Sequence, residues 1–420
     1  MTVSDGKRVS RRFWKALGPG LITGAADDDP SGIATYSQAG AQFGYGLTWT
    51  VFLTLPLMAA IQIISARIGW QTGRGLARNI GTRLPRQAVT LLVGLLLAAN
   101  TINIAADLAA MGEAVNLVVG GPSVIYAVGF GVACLVAEIF IPYHRYAGFL
   151  KFLTLALLIY VAVAFSVDIP WGQVLQTTLL PTLSFDRDML LMVVALLGTT
   201  ISPYLFFWQA SQEVEESRLS HRHKERGEDK DDLAHISIDT WIGMAASNLV
   251  AFFIIVTTAA TLHANGVTEI ATAAQAAEAL RPIAGDFTFL LFALGLVGTG
   301  MLAVPVLAGS AAYAVAEISG MRRGLELPPS RAPGFYGVVG AATLGGAALA
   351  TLHIDAMTLL FWTAVINGVV AAPIMFATML VVSGDGERAL TIPLWLKGLG
   401  WIASALMALA LLASIWSYVA

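Results

Sequence analysis

Long runs of apolar residues recur along the chain, and short polar segments separate them. Most runs hold about 20 residues, the length that a helix needs to cross the hydrocarbon core of a bilayer. Strand-like alternation of apolar and polar positions is absent. The pattern therefore predicts an all-α polytopic membrane protein with eleven spans, at about 15–40, 46–69, 87–118, 121–141, 147–167, 189–212, 236–262, 286–318, 334–352, 356–382 and 392–418.

The composition agrees with this prediction. Of the 420 residues, 57% are hydrophobic and only 12% are charged, whereas soluble domains carry about 25% charged residues. Cys134 is the only cysteine, which excludes an intramolecular disulfide and a cysteine-based metal site. Basic residues precede the first apolar segment as in a signal peptide, but that segment continues past its acidic residues, so we interpret it as an uncleaved first helix.

The distribution of basic residues predicts the orientation. With the N-terminus in the cytoplasm, the inside segments hold 22 of the 24 Lys and Arg residues, and the outside loops hold only Arg187 and Arg281. Cytoplasmic loops carry such an excess of positive charge. We expect a multi-pass protein of the inner (plasma) membrane, with a cytoplasmic N-terminus and, after eleven spans, an external C-terminus.

The first and sixth spans are interrupted in the same way. Residues 24–32 read GAADDDPSG and residues 198–204 read GTTISPY, so that each span has a proline among small and polar residues near its middle. Proline removes a helical hydrogen bond and disfavours helical geometry in the preceding residue. Two breaks five helices apart predict two five-helix repeats of inverted topology with a binding site at the breaks. The repeats would cover about 15–167 and 189–382 of a single transmembrane domain (1–420), with an extra helix at about 392–418.

Asp29 is the strongest candidate for chemistry at the first break. A carboxylate at mid-depth in a bilayer costs at least about 2.5 kcal/mol and faces a cavity, an ion or a partner. Beside Pro30 the unwound backbone leaves carbonyls free, notably that of Ala26, and a carboxylate with free carbonyls suits a hard cation. The alternative is that Asp29 only caps the half-helix that begins at Pro30.

The second break offers further oxygen atoms. The Thr199 carbonyl is expected to be unpaired if the helix opens before Pro203, and Ser202 would present a hydroxyl. Tyr204 lies next to them. The alternative is that Ser and Thr simply bond the backbone of their own helix, as is common in membrane helices.

Two more acidic residues and a charged segment leave alternatives open. Asp27 and Asp28 are expected either to line a vestibule that attracts cations, or to be protonated or hydrogen-bonded to neighbouring helices. The segment from about 213 to 235 is strongly charged, and we interpret it as a flexible solvated loop. Its histidines, His221 and His223, then need no metal.

A polar stripe follows the third span. Asn100, Asn103 and Asp107 occupy one helical face and predict either a pathway for ions or water or hydrogen bonds between helices. Asn367 in the tenth span invites the same two interpretations. We favour the pathway for Asp107 and helix packing for Asn367.

These motifs resemble the Nramp family of divalent metal transporters. Gly18-Pro19-Gly20 followed by residues 29–32 (DPSG) is similar to the family's Gly-Pro-Gly and Asp-Pro-Gly-Asn, and residues 198–204 align with its Gly-Ala-Thr-x-Met-Pro-His. The resemblance runs along essentially the whole chain. It implies a LeuT/APC-type fold of five plus five helices, a divalent metal ion as the substrate, and no further cofactor.

The departures from the family pattern imply a different metal preference. The family's motif asparagine is Gly32 here, its methionine is Ser202, its histidine is Tyr204, and its third-helix glutamate is Ala110. Loss of the thioether removes a soft ligand, and a wider site of oxygen atoms suits a partly hydrated Mg²⁺. The chain thus resembles the Nramp-related magnesium transporters, which implies transport of Mg²⁺ and Mn²⁺ without strict proton coupling.

The sequence permits alternatives to an uncoupled magnesium transporter. A proton-coupled Mn²⁺ or Fe²⁺ importer would have to use a rebuilt site. An organic-solute symporter on the same scaffold would bind a substrate carboxylate, against which three clustered acidic residues argue. A receptor that binds without transport is permitted, and no nucleophile–base pair indicates an enzyme. We expect divalent metal ions and the lipid bilayer as partners, no nucleic acid and no obligate protein partner.

Overall fold

The computed structural model describes residues 19–141, 155–181, 184, 186–220, 229–352, 354–384 and 390–419, and within them the regular structure is entirely helical. The longer helices and their halves are α1 (Pro19–Asp27), α2 (Pro30–Phe43), α3 (Thr48–Thr72), α5 (Arg86–Val119), α6 (Ser123–Phe140), α7 (Leu158–Ala164), α9 (Arg187–Thr200), α10 (Pro203–Ser220), α11 (Asp229–Thr261), α14 (Thr288–Ser319), α15 (Pro333–Leu349), α16 (Ala356–Ser383) and α17 (Leu394–Val419). Short helices connect them: α4 (Leu76–Ile80), α8 (Trp171–Leu179), α12 (Ala273–Glu278) and α13 (Arg281–Ala284).

The helices account for the predicted spans. Nine stretches in the described part of the chain are long and apolar enough to cross a membrane. The first stretch, Pro30–Thr72, contains part of the first span and all of the second, and the shorter apolar helix Leu155–Ala164 is the described part of the fifth. Together they correspond to the eleven spans predicted from the sequence.

The chain runs up and back down beside α11. Asp27 is hydrogen-bonded to Ser247 of α11, and the Ala41 carbonyl contacts the His263 ring beyond the end of that helix. A 3₁₀ turn at Gly44–Leu47 follows, where Gly44 has a φ of 56°. Thr54 then returns to the level of Asn248. Thus α2 and α3 are antiparallel and share one supporting helix.

The first half-helix lies unusually close to α11. A Cβ atom added to Gly24 would be 2.4 Å from the Gly243 carbonyl oxygen, and one added to Gly20 would be 2.6 Å from the Thr240 amide nitrogen. Small residues permit such backbone approach in membrane bundles. At the end of this contact, the Leu21 amide donates to Asp239 Oδ2 at 3.2 Å. This contact fixes the position of the acidic residues at the C-terminal end of α1.

Both predicted helix breaks are confirmed. The first separates α1 from α2 at residues 28–29, and the second separates α9 from α10 at residues 201–202. In each case the proline, Pro30 or Pro203, is the first residue of the next half-helix. That position needs no amide proton, so proline is well tolerated there.

The charged segment is more ordered than predicted. Helix α10 continues to Ser220 and α11 begins at Asp229, so a flexible loop from 213 to 235 is wrong for both of its ends. Tertiary bonds explain the difference, since Glu215 Oε1 accepts hydrogen bonds from Tyr313 Oη at 2.5 Å and from the Leu325 amide at 3.1 Å. The predicted His221 and His223 lie outside the described residues.

Candidate metal site

Asp29 caps the second half of the first broken helix. Its backbone is extended, with φ −70° and ψ 169°, and its Oδ1 accepts a hydrogen bond from the Gly32 amide at 2.7 Å. The capping role considered from the sequence is therefore present. It uses only one of the two carboxylate oxygens, so the cap and a role in cation binding are compatible.

The second carboxylate oxygen of Asp29 joins two other predicted residues. Its Oδ2 accepts hydrogen bonds from Asn103 Nδ2 of α5 at 3.3 Å and from Tyr204 Oη of α10 at 3.2 Å. Asp29 is 2% exposed. The structure thus brings the third span and both breaks together around one buried negative charge.

Each proline leaves one backbone carbonyl without its helical hydrogen-bond donor, and a side-chain hydroxyl contacts each of these two carbonyls. Pro30 and Pro203 have no amide proton for the carbonyl four residues earlier, which belongs to Ala26 and Thr199 respectively. Tyr204 Oη donates to the Ala26 carbonyl at 3.0 Å. Ser202 Oγ lies 2.7 Å from the Thr199 carbonyl. The Thr199 carbonyl is thus not unpaired as expected, although a carbonyl oxygen retains a second lone pair for a cation.

The Ser202 hydroxyl bonds the backbone of its own broken helix, which is the alternative considered from the sequence. Besides Thr199, its hydroxyl contacts the Gly198 carbonyl at 2.9 Å. Both acceptors lie in the last turn of α9, which Pro203 prevents from continuing. The hydroxyl therefore stabilises the broken end of the helix, and its oxygen lone pairs remain available to a ligand.

Gly32 lies between the two breaks. A Cβ atom built on it would be 3.3 Å from the Asp27 carbonyl oxygen and from Tyr36 Cε2, and 3.4 Å from Thr199 Oγ1. A larger residue would place its side chain in this region. Because these distances are at or inside the limit of ordinary van der Waals contact, glycine here permits close packing of the two breaks, and the extra room expected at this position is not seen in this structure.

Asp27 and Asp28 are held by a residue of α11 that the sequence analysis missed. Ser247 Oγ lies 2.7 Å from Asp27 Oδ2 and 3.0 Å from Asp28 Oδ1. The two carboxylates are 0% and 6% exposed, so in this structure they are bonded to a neighbouring helix and do not line an open vestibule. Ser247 and Asn248 are adjacent polar residues near the middle of the predicted seventh span, a signal that could have identified them.

The polar residues on one face of α5 have two roles: one holds α5 to another helix, and the others lie at the candidate site. Asn100 Nδ2 donates to the Leu307 carbonyl at 2.8 Å and thus holds α5 to α14, whereas Asn103 binds Asp29. Asp107 is fully buried, and neither of its carboxylate oxygens has a hydrogen-bond partner among the described residues. An unpartnered buried carboxylate is costly, so Asp107 is suited to meet a cation or a proton.

Asn367 of α16 is also buried without an amide partner in the part of the chain that the structure describes. Its helix packs closely on the second broken helix: a Cβ atom added to Gly198 would be 2.1 Å from the Ala364 carbonyl oxygen and 2.5 Å from the Gly368 amide nitrogen. Hydrogen bonds between helices, the interpretation favoured from the sequence, are not observed for this side chain.

A cavity lies on the α2 side of the site. It has a volume of about 220 Å³, and its lining includes Ala34, Gln38, Asp188 and Glu269. Ala34 is one helical turn beyond Pro30. The cavity therefore approaches the breaks from the side that the predicted orientation places outside the cell.

The donor set is compatible with a hard cation. Across the described residues, no group of three His, Cys, Asp or Glu side chains is arranged to hold a metal ion. At the first break, hydrogen bonds join the Asp29 carboxylate and the Ala26 carbonyl to Tyr204 and Asn103, and at the second break the Ser202 hydroxyl lies against the Thr199 carbonyl. Carboxylate, carbonyl and hydroxyl oxygens are ligands that suit Mg²⁺ and Mn²⁺.

Solved structures resemble this chain in fold. The manganese transporter of Eremococcus coleocola, in complex with an aromatic bis-isothiourea compound, matches with a TM-score of 0.74 and 16% identity over 96% of this chain and 87% of that chain. Mhp1, a nucleobase-cation-symport-1 family transporter, matches in a closed conformation with a TM-score of 0.58 and 15% identity over 96% and 92%. These likenesses confirm the predicted LeuT-type fold.

Sequence comparisons extend along the chain as well. The divalent metal cation transporter MntH of Erwinia tasmaniensis is 31% identical over 309 residues, which are 71% of this chain and 72% of that protein. MntH of Yersinia enterocolitica is 32% identical over 305 residues, or 70% and 71%. These relatives are membrane transporters, in agreement with the prediction that the chain is not an enzyme. The family described as natural resistance-associated macrophage protein-like (Nramp) matches residues 20–417, and the chain therefore belongs to the Nramp family.

Proposed function

We propose that this chain transports divalent metal cations by alternating access, with Mg²⁺ preferred and Mn²⁺ as a second substrate. The observation that supports the proposal is the oxygen-rich meeting point of the two helix breaks. Asp29 supplies the charge, the carbonyls of Ala26 and Thr199 and the hydroxyl of Ser202 supply further oxygens, and Gly32 contributes no side-chain ligand, so that retained water completes the shell. No proton has to accompany the metal in this scheme.

Two physical arguments favour Mg²⁺. Magnesium loses its hydration water reluctantly and is bound in proteins by a few oxygen ligands together with several waters. Ser202 stands where typical family members have a methionine, so the soft thioether that favours transition metals is replaced by a hard hydroxyl. The buried oxygen groups around Asp29 offer such a partial shell.

Influx into proteoliposomes tests the proposal. Purified protein would be reconstituted with a pH-sensitive dye inside, and Mg²⁺ or Mn²⁺ would be added outside. We expect saturable entry of Mg²⁺ without acidification, and competition between the two metals. Entry of Mn²⁺ with acidification and no competition by Mg²⁺ would reject the preference and the uncoupled mechanism. Binding without entry of either metal would reject transport altogether.

A proton-coupled Mn²⁺ importer is the second candidate, and one observation favours it. Asp107 is a fully buried carboxylate without a hydrogen-bond partner among the described residues. Such a group can carry a proton past the metal site. Acidification that accompanies Mn²⁺ entry and disappears in Asp107→Asn would support this candidate over the first.

Ser202→Met is expected to shift the preference toward Mn²⁺ by about tenfold relative to Mg²⁺, which corresponds to about 1.4 kcal/mol. The change adds a soft ligand at the second break. The measurement is the ratio of kcat/KM for Mn²⁺ to that for Mg²⁺ in the same liposomes. Ser202→Ala is the matched control, because it removes the bond to the Thr199 carbonyl without adding sulfur. Equal ratios in both variants would show that residue 202 does not select the metal.

We further propose that the chain forms one transport domain, with repeats at about 15–167 and 189–382 and an added helix at about 392–418. The paired breaks support this division. The Lys and Arg distribution supports insertion in the inner (plasma) membrane with the N-terminus in the cytoplasm and the C-terminus outside. The metal is cargo, so the proposal requires no cofactor, nucleic acid or obligate protein partner.

A further inference from the structure

The hydroxyl of Tyr204 contacts two atoms that the proposed function assigns to the cation. It lies 3.0 Å from the Ala26 carbonyl oxygen and 3.2 Å from Asp29 Oδ2. The side chain is fully buried. A phenolic hydroxyl has a single proton, and that proton is directed toward these two oxygens.

Two other donors reach the same carboxylate. Gly32 donates its amide to Asp29 Oδ1 at 2.7 Å, and Asn103 Nδ2 donates to Oδ2 at 3.3 Å. Asp29 therefore accepts three hydrogen bonds, which come from its own half-helix, from α5 and from α10. Hydrogen bonds to an ionised group are about twice as strong as those between neutral groups. Together they compensate a buried negative charge.

A divalent cation and the Tyr204 proton are attracted to the same two oxygen atoms. Positive charge at Asp29 Oδ2 and at the Ala26 carbonyl repels the hydroxyl proton, so a bound cation would turn the hydroxyl away. When the cation leaves, the proton can return to both oxygens. The Gly32 amide, by contrast, is fixed by the helix it caps and cannot turn in this way.

An uncoupled carrier has one step that needs this compensation. After releasing its cargo it must reorient with Asp29 buried and with no cation beside it, and an uncompensated carboxylate in a dry interior is costly. We propose that Tyr204 replaces the cation electrostatically during this return step, and that it thereby sets the rate of net uptake. The inference rests on the proposed function, because it presumes that divalent cations are carried without an obligatory counter-transported ion.

Comparison of net uptake with exchange isolates the return step. For net uptake, radiolabelled Mn²⁺ is placed outside liposomes that contain no divalent cation. For exchange, the liposomes contain unlabelled Mn²⁺, so that the carrier returns loaded. We expect Tyr204→Phe to lower the ratio of net uptake to exchange by about tenfold, equivalent to about 1.4 kcal/mol on the barrier of the return step. We also expect its KM in exchange to fall, since a competitor of the cation is removed.

Tyr36→Phe is the matched control. Tyr36 is a buried tyrosine of α2 whose hydroxyl contacts Thr200 Oγ1 of α9 at 3.0 Å, so the variant also removes one hydrogen bond between the broken helices, but from a neutral partner. Its ratio should equal that of the wild type. Should Tyr204→Phe fail to purify as a monodisperse protein, Asn103→Ala removes another donor to the same Asp29 oxygen and should lower the ratio in the same direction.

The outcomes separate this inference from the proposed function. Absence of both fluxes in the wild type would overturn the proposed function. Normal wild-type fluxes with an unchanged ratio in Tyr204→Phe would overturn only the inference. A higher KM in exchange would identify the Tyr204 oxygen as a ligand and would likewise overturn it. A ratio lowered in Tyr204→Phe but not in Tyr36→Phe is the result that supports it.

Discussion

Asp29→Asn is expected to reduce uptake of divalent cations at least about 100-fold, equivalent to about 2.7 kcal/mol, while the protein still inserts and folds. Asparagine caps helices as well as aspartate does, so the bond to the Gly32 amide can persist. The negative charge is lost, and the amide group in the place of Oδ2 no longer accepts from Asn103 and Tyr204. The measurement is initial Mg²⁺ and Mn²⁺ influx into proteoliposomes, with thermal unfolding in detergent to confirm the fold.

Two companion variants complete this test. Asp29→Ala removes both charge and cap and should abolish uptake with an added loss of about 1 kcal/mol in stability. Asp286→Asn, at an exposed position in a turn before α14, changes the same charge outside the site and should be neutral. Near-normal uptake by Asp29→Asn would leave Asp29 as a helix cap and would reject the metal site.

Gly24→Ala is expected to remove most transport activity and to destabilise the protein by about 1–3 kcal/mol, the usual cost of overpacking. The added methyl group would lie 2.4 Å from the Gly243 carbonyl oxygen, so α1 must move away from α11. The bonds from Ser247 to Asp27 and Asp28 would then be disturbed, together with the first break. Influx and thermal unfolding of the purified protein measure the two effects.

Gly129→Ala provides the control for that substitution. Gly129 lies in α6, is exposed on the surface of the bundle, and has no atom within 4 Å of an added Cβ. The change in helix propensity is therefore the same but the clash is absent. If both variants keep wild-type activity and stability, the close contact between α1 and α11 has no role in positioning the site.

The sequence predicted the two breaks although it contains other prolines within spans. Pro56, Pro305 and Pro373 lie inside continuous helices. What distinguishes Pro30 and Pro203 is the short polar residue before each. Asp29 caps the next half-helix, and Ser202 bonds the carbonyls that the break releases. Proline together with a local hydrogen-bonding side chain indicates a break, whereas proline alone does not.

The partners of the site residues are not apparent from the sequence. The residue that donates a hydrogen bond to the Ala26 carbonyl is Tyr204, 178 positions away. No local sequence pattern specifies that contact. Asp27 and Asp28 likewise meet Ser247 more than 200 positions away. Such pairs depend on how α10 and α11 are placed against α1. Residue types therefore identified candidate ligands, but only the packing of the helices shows which lone pairs are already used.

The distance from Gly20 to the first break sets a mechanical scale for opening. At about 1.5 Å per residue, Gly20 lies about 12 Å along α1 from the Asp28–Asp29 joint, so a tilt of about 20° there would move Gly20 by about 4 Å. Because Gly20 and Gly24 lie against the backbone of α11, such a tilt would open these two contacts without moving a side chain of either residue. The Asp28–Asp29 break would thus act as a hinge. The acidic residues lie at this hinge, where the displacement caused by a tilt of α1 is smallest.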